Sequence, residues 1–271
     1  MNETRTTCGA VSDERGIVTL TLRRPEKHNA FSGAMVAELT ELLTRAGELD
    51  HVRALVLAAE GKHFSAGADL GDMQAMADAS HEENLADAVR LAHLLRRLDT
   101  FPRPVLAVVQ GAAFGGAVGL VCCCDSVIAS PRARFCLSEA RLGLAASVIS
   151  PYVVRALGPR RARHAVLTTE MIDAQAALRY GLVHEVADEL DPAIARWTDA
   201  VLAGAPGAQA EIKRLVQRVY GHPVTDDLVQ ETAELIADLR GRPEGREGLA
   251  AFFARRPPSW SADAEGSVNE E

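Results

Sequence analysis

QGAAFGGAVGLVCCCD, residues 110–125, is the stretch whose reading decides the fold. It follows an apolar strand-like run, Val105-Leu106-Ala107-Val108-Val109, and after Phe114-Gly115-Gly116 opens into small apolar residues suited to a tightly packed helix. Glycine at a strand-to-helix turn permits positive φ and lets a ligand approach main-chain N–H groups. Those groups lack partners at a helix start and are backed by the helix dipole, so they can hold a developing negative charge. The stretch reads as half of an oxyanion site, and such a site needs a second donor.

Working outward, strands and helices alternate. Gly16-Ile17-Val18-Thr19-Leu20-Thr21-Leu22 alternates Thr with aliphatics, as a strand with one exposed face does. From Ser32 onward Met35, Leu39, Leu42, Ala46 and Leu49 recur at helical spacing. Ala54-Leu55-Val56-Leu57-Ala58 is apolar on both faces, as in a strand buried between layers. The loop at 60–70 is rich in small residues that would expose N–H groups to a ligand. Ser80-His81-Glu82-Glu83 is a capping box, followed by Leu85, Val89, Ala92 and Leu95. Beyond the opening stretch, Ser126-Val127-Ile128-Ala129 reads as a strand, and residues 135–139 as a strand or turn leading to Arg141-Leu142-Gly143-Leu144. This alternation predicts α/β layering with the glycine-rich turns gathered on one side.

From Pro151 helical patterning dominates, over 152–157, 160–167, 173–180, 193–202, 208–220, 225–239 and 244–255. With no Ser/Gly linker, residues 1–200 are expected to form the core with the site and 201–260 a helical oligomerisation region. Residues 261–271, small and acidic, are expected to be a disordered tail.

A chain of 271 residues, 48% hydrophobic and 24% charged, suits a globular protein with one substantial core. Its net charge of −8 argues against nonspecific nucleic-acid binding, which needs concentrated Lys and Arg. The polar N-terminal residues carry no apolar h-region and no apolar run is long enough to span a bilayer, so the expected location is cytoplasmic. Cys8, Cys122, Cys123, Cys124 and Cys136 are spaced for neither a disulfide framework nor a zinc site and read as reduced packing residues.

Three segments fall in a known order: Phe64-Ser65-Ala66-Gly67-Ala68-Asp69-Leu70, Gly111-Ala112-Ala113-Phe114-Gly115-Gly116, and Phe135-Cys136-Leu137-Ser138-Glu139-Ala140-Arg141-Leu142-Gly143-Leu144. With Arg24-Pro25-Glu26-Lys27-His28-Asn29-Ala30 they resemble the crotonase (enoyl-CoA hydratase/isomerase) superfamily from about residue 10 to about residue 260. Residues 149–158 and 180–186 are most similar to bacterial methylglutaconyl-CoA hydratases and related branched-chain enoyl-CoA hydratases.

The resemblance implies a spiral of ββα units with a C-terminal helical trimerisation region, and a homotrimer or hexamer. It implies an acyl-CoA thioester whose enolate is held by the Ala68 and Gly116 N–H groups, with no cofactor beyond the CoA of the substrate and no metal. Of the two glutamates usual in such hydratases, one falls at Glu139; the other falls at Gly119. Either one carboxylate serves twice, or another group supplies the second function. Isomerisation and decarboxylation of a CoA thioester, and acyl-CoA binding without catalysis, are the alternatives. Lys27, Ala30, Ser65 and Ala66 are implied to contact CoA, aided by Arg255 and Arg256 of a neighbouring subunit; Gly71 stands where a lysine is frequent. Met73, Met76, Ala77, Leu85, Gly119, Leu144, Ala145 and Ala146 are implied to shape the acyl pocket. Asp69 and Asp125 read as structural, and His63, His93 and His184 as packing or surface residues.

Overall fold

A computed structural model describes residues 6–261, so the expected tail lies, Ser261 apart, outside the described residues. In chain order the elements are β1 (Cys8–Ser12), β2 (Ile17–Leu22), α1 (Gly33–Glu48), β3 (Ala54–Ala59), α2 (Leu70–Ala77), α3 (His81–Asp99), β4 (Val105–Val109), β5 (Ala112–Phe114), α4 (Gly116–Cys123), β6 (Ser126–Ala129) and β7 (Arg134–Cys136). There follow α5 (Ser150–Thr168), β8 (Ile172–Asp173), α6 (Ala174–Tyr180), β9 (Glu185–Val186), α7 (Leu190–Leu202), α8 (Pro206–Val219), α9 (Asp226–Gly241) and α10 (Pro243–Ala254).

The large sheet runs β1-β2-β3-β4-β6-β9, parallel except for the β1–β2 hairpin. Strands β3, β4 and β6 are apolar on both faces because each face meets its own core. Leu55, Leu57, Val105, Ala107 and Val109 join the core that holds α1, α3 and α4; Ala54, Val56, Leu106, Val108 and Ile128 join Ala193 and Leu202 of α7. The two-residue alternation of a strand sorts them. A small sheet, β5-β7-β8, stands beside it. The chain passes from β4 in the large sheet to β5 in the small one and then into α4, and repeats the step from β6 to β7 to α5. This is the expected ββα spiral.

Sequence patterning located the longer elements. Ser80 Oγ accepts from the Glu83 N–H (3.2 Å) and Glu83 accepts from the Ser80 N–H (2.8 Å), completing the capping box. The two helical segments after Pro151 are one element broken at Gly158 (φ 74°, ψ 157°), ahead of Pro159. Strands β1, β5, β8 and β9, of two to five residues, had not been anticipated, nor had α2, which buries no side chain.

The C-terminal helical region is fastened to the core by polar ties at the α7–α8 connection, on α8 and beyond α10. Arg53 donates to the carbonyls of Leu202 (3.2 Å), Gly204 (3.0 Å) and Trp260 (3.0 Å). Lys213 on α8 donates to Arg103 O (2.9 Å) and to Asp125 (2.6 Å). All five cysteines are free, and all but Cys124 are buried; burial pushes Cys8 and Cys122 up to about 12, which makes them poor nucleophiles. No helix among the described residues is long and apolar enough to cross a membrane.

Candidate active site

Three loops are laced together at the N-terminal end of α4. The Phe31 N–H donates to Gly67 O (2.7 Å) and the Asp69 N–H to Phe31 O (2.8 Å), a parallel bridge that straddles Ala68. Ser65 donates to Ala112 O (3.0 Å) and accepts from the Phe114 N–H (3.1 Å). A Cβ placed on Gly67 would lie 3.1 Å from Phe114 O, so the two glycine turns are in contact.

This lacing uses up most of the main-chain groups and spares two. The Phe31 bridge engages the amides on either side of Ala68, and the Gly115 N–H donates to Cys136 O (2.8 Å), one residue short of α4. Among the described residues the Ala68 and Gly116 N–H groups have no hydrogen-bond partner. Gly116 also opens α4, where the helix dipole adds partial positive charge.

The third group arrives from the small sheet. Glu139 begins a 3-10 turn, Glu139–Leu142, after β7. Its Oε1 lies 3.1 Å from where a Cβ on Gly115 would stand, and Gly115 has φ 53°, so any side chain there would be strained as well as crowded. The other oxygen, Oε2, is buried without a hydrogen-bond partner. Burial pushes the Glu139 carboxyl above its usual range, weakly opposed by its own backbone N–H. A carboxylate held dry and incompletely solvated beside unpaired N–H donors is suited to take and return a proton.

The supports are themselves satisfied. Asn29, fully buried, donates to Glu60 O (2.8 Å) and His63 O (2.9 Å) and accepts from the Arg24 N–H (2.8 Å), fixing the segment that carries Phe31. Asp69 caps α2 through the Gly71 N–H (2.9 Å) and pairs with Arg24 (3.0 Å). The Gly71 N–H, with Arg24, holds its carboxyl below the usual range. Arg141 donates to Thr169 Oγ1 (2.6 Å) and Thr169 O (2.9 Å), and pins the Glu139 turn to the end of α5.

The expected site residues divide as follows. Ala68, Gly116 and Glu139 converge as described. Lys27 and Ala66 are exposed beside them, though the Ala66 N–H is committed to His28 O (2.9 Å); Ala30 is buried and its carbonyl accepts from Arg24 (2.9 Å). Met73 and Met76 are half-buried on α2, Ala77 and Leu85 are exposed, and Leu144 and Ala145 lie on an exposed loop with Ala146 half-buried. Arg255 is exposed, and Arg256 pairs with Glu247 (2.6 Å).

Two of the expected contact residues are buried. Ser65 is fully buried with both backbone groups bonded and its Oγ accepting from the Gly67 N–H (3.2 Å), so it holds the donor loop. Gly119 is buried, and a Cβ there would stand 2.3 Å from Ile149 Cγ2 and 3.5 Å from Leu95 Cδ2. Ile149, to which the sequence assigned no role, fills that place. The distance in sequence between the two gave no signal of it.

Asp125 is structural as read, accepting from the Val105 N–H (2.7 Å) and from Lys213. His63 Nδ1 accepts from the Ala112 N–H (3.0 Å) and His184 Nδ1 from the Val127 N–H (3.0 Å); burial lowers both imidazoles, keeping them neutral packing residues. His93 is exposed.

Spiral, paired donors and carboxylate together define a crotonase-type α/β enzyme. The family of enoyl-CoA hydratases/isomerases matches residues 12–263. An enoyl-CoA hydratase structure from Shewanella pealeana superposes with a TM-score of 0.92 at 44% identity, covering 94% of this chain and 96% of that one. The enoyl-CoA hydratase AKT6-1 of Alternaria alternata is 32% identical over 89% of this chain and 80% of its own. A trans-2-decenoyl-acyl-carrier-protein isomerase of Streptococcus mutans is 31% identical over 92% of this chain and 95% of its own. The chain belongs to the enoyl-CoA hydratase/isomerase family.

Proposed function

We propose that the protein adds water across the double bond of an α,β-unsaturated acyl-CoA with a branched, methylglutaconyl-like acyl group, using Glu139 as the only carboxylate. The observation that carries this reading is the unpartnered Glu139 Oε2 beside the unpaired Ala68 and Gly116 N–H groups. Glu139 takes a proton from water as the water oxygen bonds to the β-carbon. The electrons of the double bond move to the thioester oxygen, which the two N–H groups hold. The enolate then collapses and takes the proton from Glu139 at the α-carbon, so one carboxylate closes the cycle and no redox partner is required. Each oxyanion donor of this kind is worth about 3 kcal/mol in the transition state.

Lys27, Ala30 and Ala66 are the residues assigned to the CoA moiety, with Arg255 and Arg256 of a neighbouring subunit in a trimer or hexamer. Met73 and Leu144 are assigned to the acyl chain. The exposed apolar side chains of Leu70, Leu142 and Leu144 near the site support this assignment.

Isomerisation is the second reading, favoured by the apolar cover over Gly119: moving a double bond needs one base and one enolate site. Turnover of branched and unbranched enoyl-CoAs in water enriched in heavy oxygen separates the two. Hydration gives a product heavier by one labelled water. Unlabelled products of unchanged mass across the whole set would reject the hydratase reading.

A further inference from the structure

Gly115, the residue before α4 with φ 53° and ψ −121°, and Gly119, inside the helix, stand on either side of the unpaired Gly116 N–H. Over the first lies the Glu139 carboxylate and over the second lies Ile149, whose Cγ2 and Cβ would stand 2.3 and 2.8 Å from a Cβ on Gly119. Both side chains come from one connection, the Glu139–Leu142 turn and the loop that leads into α5, where Ile149 is the N-cap. Ile149 is 3% exposed, so it is a fixed wall rather than a side chain free to swing. It is β-branched, which restricts its χ1 further.

We propose that Ile149 is a specificity-determining residue: together with Gly119 it sets the size of the substituent accepted on the carbons that Glu139 serves. The proposal rests on the acyl-CoA reading of the site. A carboxylate that transfers a proton must come within hydrogen-bond reach of the reacting carbons, about 3 Å. A group bonded to those carbons and directed along α4 then meets Ile149. The pair also explains why position 119 is glycine, since Gly119 and Ile149 share one volume and a side chain at either position excludes bulk at the other.

The test compares two saturated thioesters, butyryl-CoA and isovaleryl-CoA, which differ by one methyl on the β-carbon and are not turned over by hydration. Calorimetry gives the ratio of their dissociation constants for wild type, Ile149→Val and Ile149→Ala. One methylene in an apolar pocket is worth about 10- to 200-fold in discrimination. Ile149→Ala is therefore expected to shift the ratio toward isovaleryl-CoA by about tenfold or more, and Ile149→Val in the same direction by less. Equal weakening of both ligands, or a ratio that moves by less than about threefold, would overturn the proposal and leave Ile149 a packing residue. Val differs from Ile by one methylene, so a folding failure of the alanine variant leaves the valine variant to decide. Failure of wild type to bind either thioester would instead overturn the acyl-CoA reading, and with it this proposal. A companion measurement uses Gly119→Ala, expected to lose thermal stability alone and to lose less when introduced into Ile149→Ala, which lacks the Cγ2 that would stand 2.3 Å from the added Cβ; equal losses in the two backgrounds would contradict the shared volume.

Discussion

The two ends of α4 each hold a carboxylate, and the protein treats them in opposite ways. At the C-terminal end Asp125 sits at the rim of a cavity of about 630 Å³, partly exposed, yet receives the Val105 N–H and the Lys213 ammonium. At the N-terminal end Glu139 has an oxygen shut away from water and receives nothing there. A buried polar atom without a partner is disfavoured by roughly 1–3 kcal/mol, and at Glu139 the unpaired Ala68 and Gly116 N–H groups stand with it, which singles it out among such atoms. The cavity lies beside the carboxylate that is paired; the proposed chemistry belongs to the carboxylate that is not.

Substitution should separate the ends sharply. Glu139→Gln is expected to lower turnover of a matching enoyl-CoA by about 10²–10⁴-fold while thioester binding persists. Asp125→Asn should leave turnover within a few-fold and instead cost about 1 kcal/mol of stability in denaturant melts, because its ion pair is partly exposed. Loss of activity in Asp125→Asn with unchanged stability would break the comparison.

A somewhat smaller loss is expected from the donor side. Gly116 opens α4, where proline is tolerated, so Gly116→Pro removes the N–H while keeping the helix start. Turnover should fall by about 10²–10³-fold, with circular dichroism unchanged. Activity within threefold of wild type would remove Gly116 from the oxyanion site.

The pH dependence sharpens the contrast further. Glu139 must be ionised to accept the first proton, and burial raises its carboxyl, so kcat/KM should fall on acidification through a pH above the usual carboxylate range. An acid limb at or below that range would contradict the dry environment. The least effect is on stability. The native state holds the Glu139 proton up to a higher pH than the unfolded chain does, so stability is lost as pH rises through the raised value. Glu139→Gln should lack that loss in thermal melts taken across the same window.

Much of this was legible in the chain before the structure. The turn at 110–125, the capping box at Ser80, the break at Gly158 and the convergence of Ala68, Gly116 and Glu139 all rest on local chemistry or on motif order. What escaped was set through space. Strands β5 and β8 are three and two residues long and exist only because β7 lies between them, so no periodicity announces them. Ser65 appeared in a ligand-facing motif, but its backbone is consumed by a bridge to Ala113, far along the chain. Ile149 escaped for the same reason: its contact with Gly119 joins residues with no shared pattern.

The central claim is that Glu139 moves a proton at a carbon whose thioester oxygen is held by the Ala68 and Gly116 N–H groups. Incubating a saturated acyl-CoA in heavy water and following its α-hydrogens by proton NMR tests this without assuming a product. Wild type is expected to exchange those hydrogens for deuterium, and Glu139→Gln to bind the thioester without exchanging them. Exchange by Glu139→Gln at the wild-type rate would contradict the account.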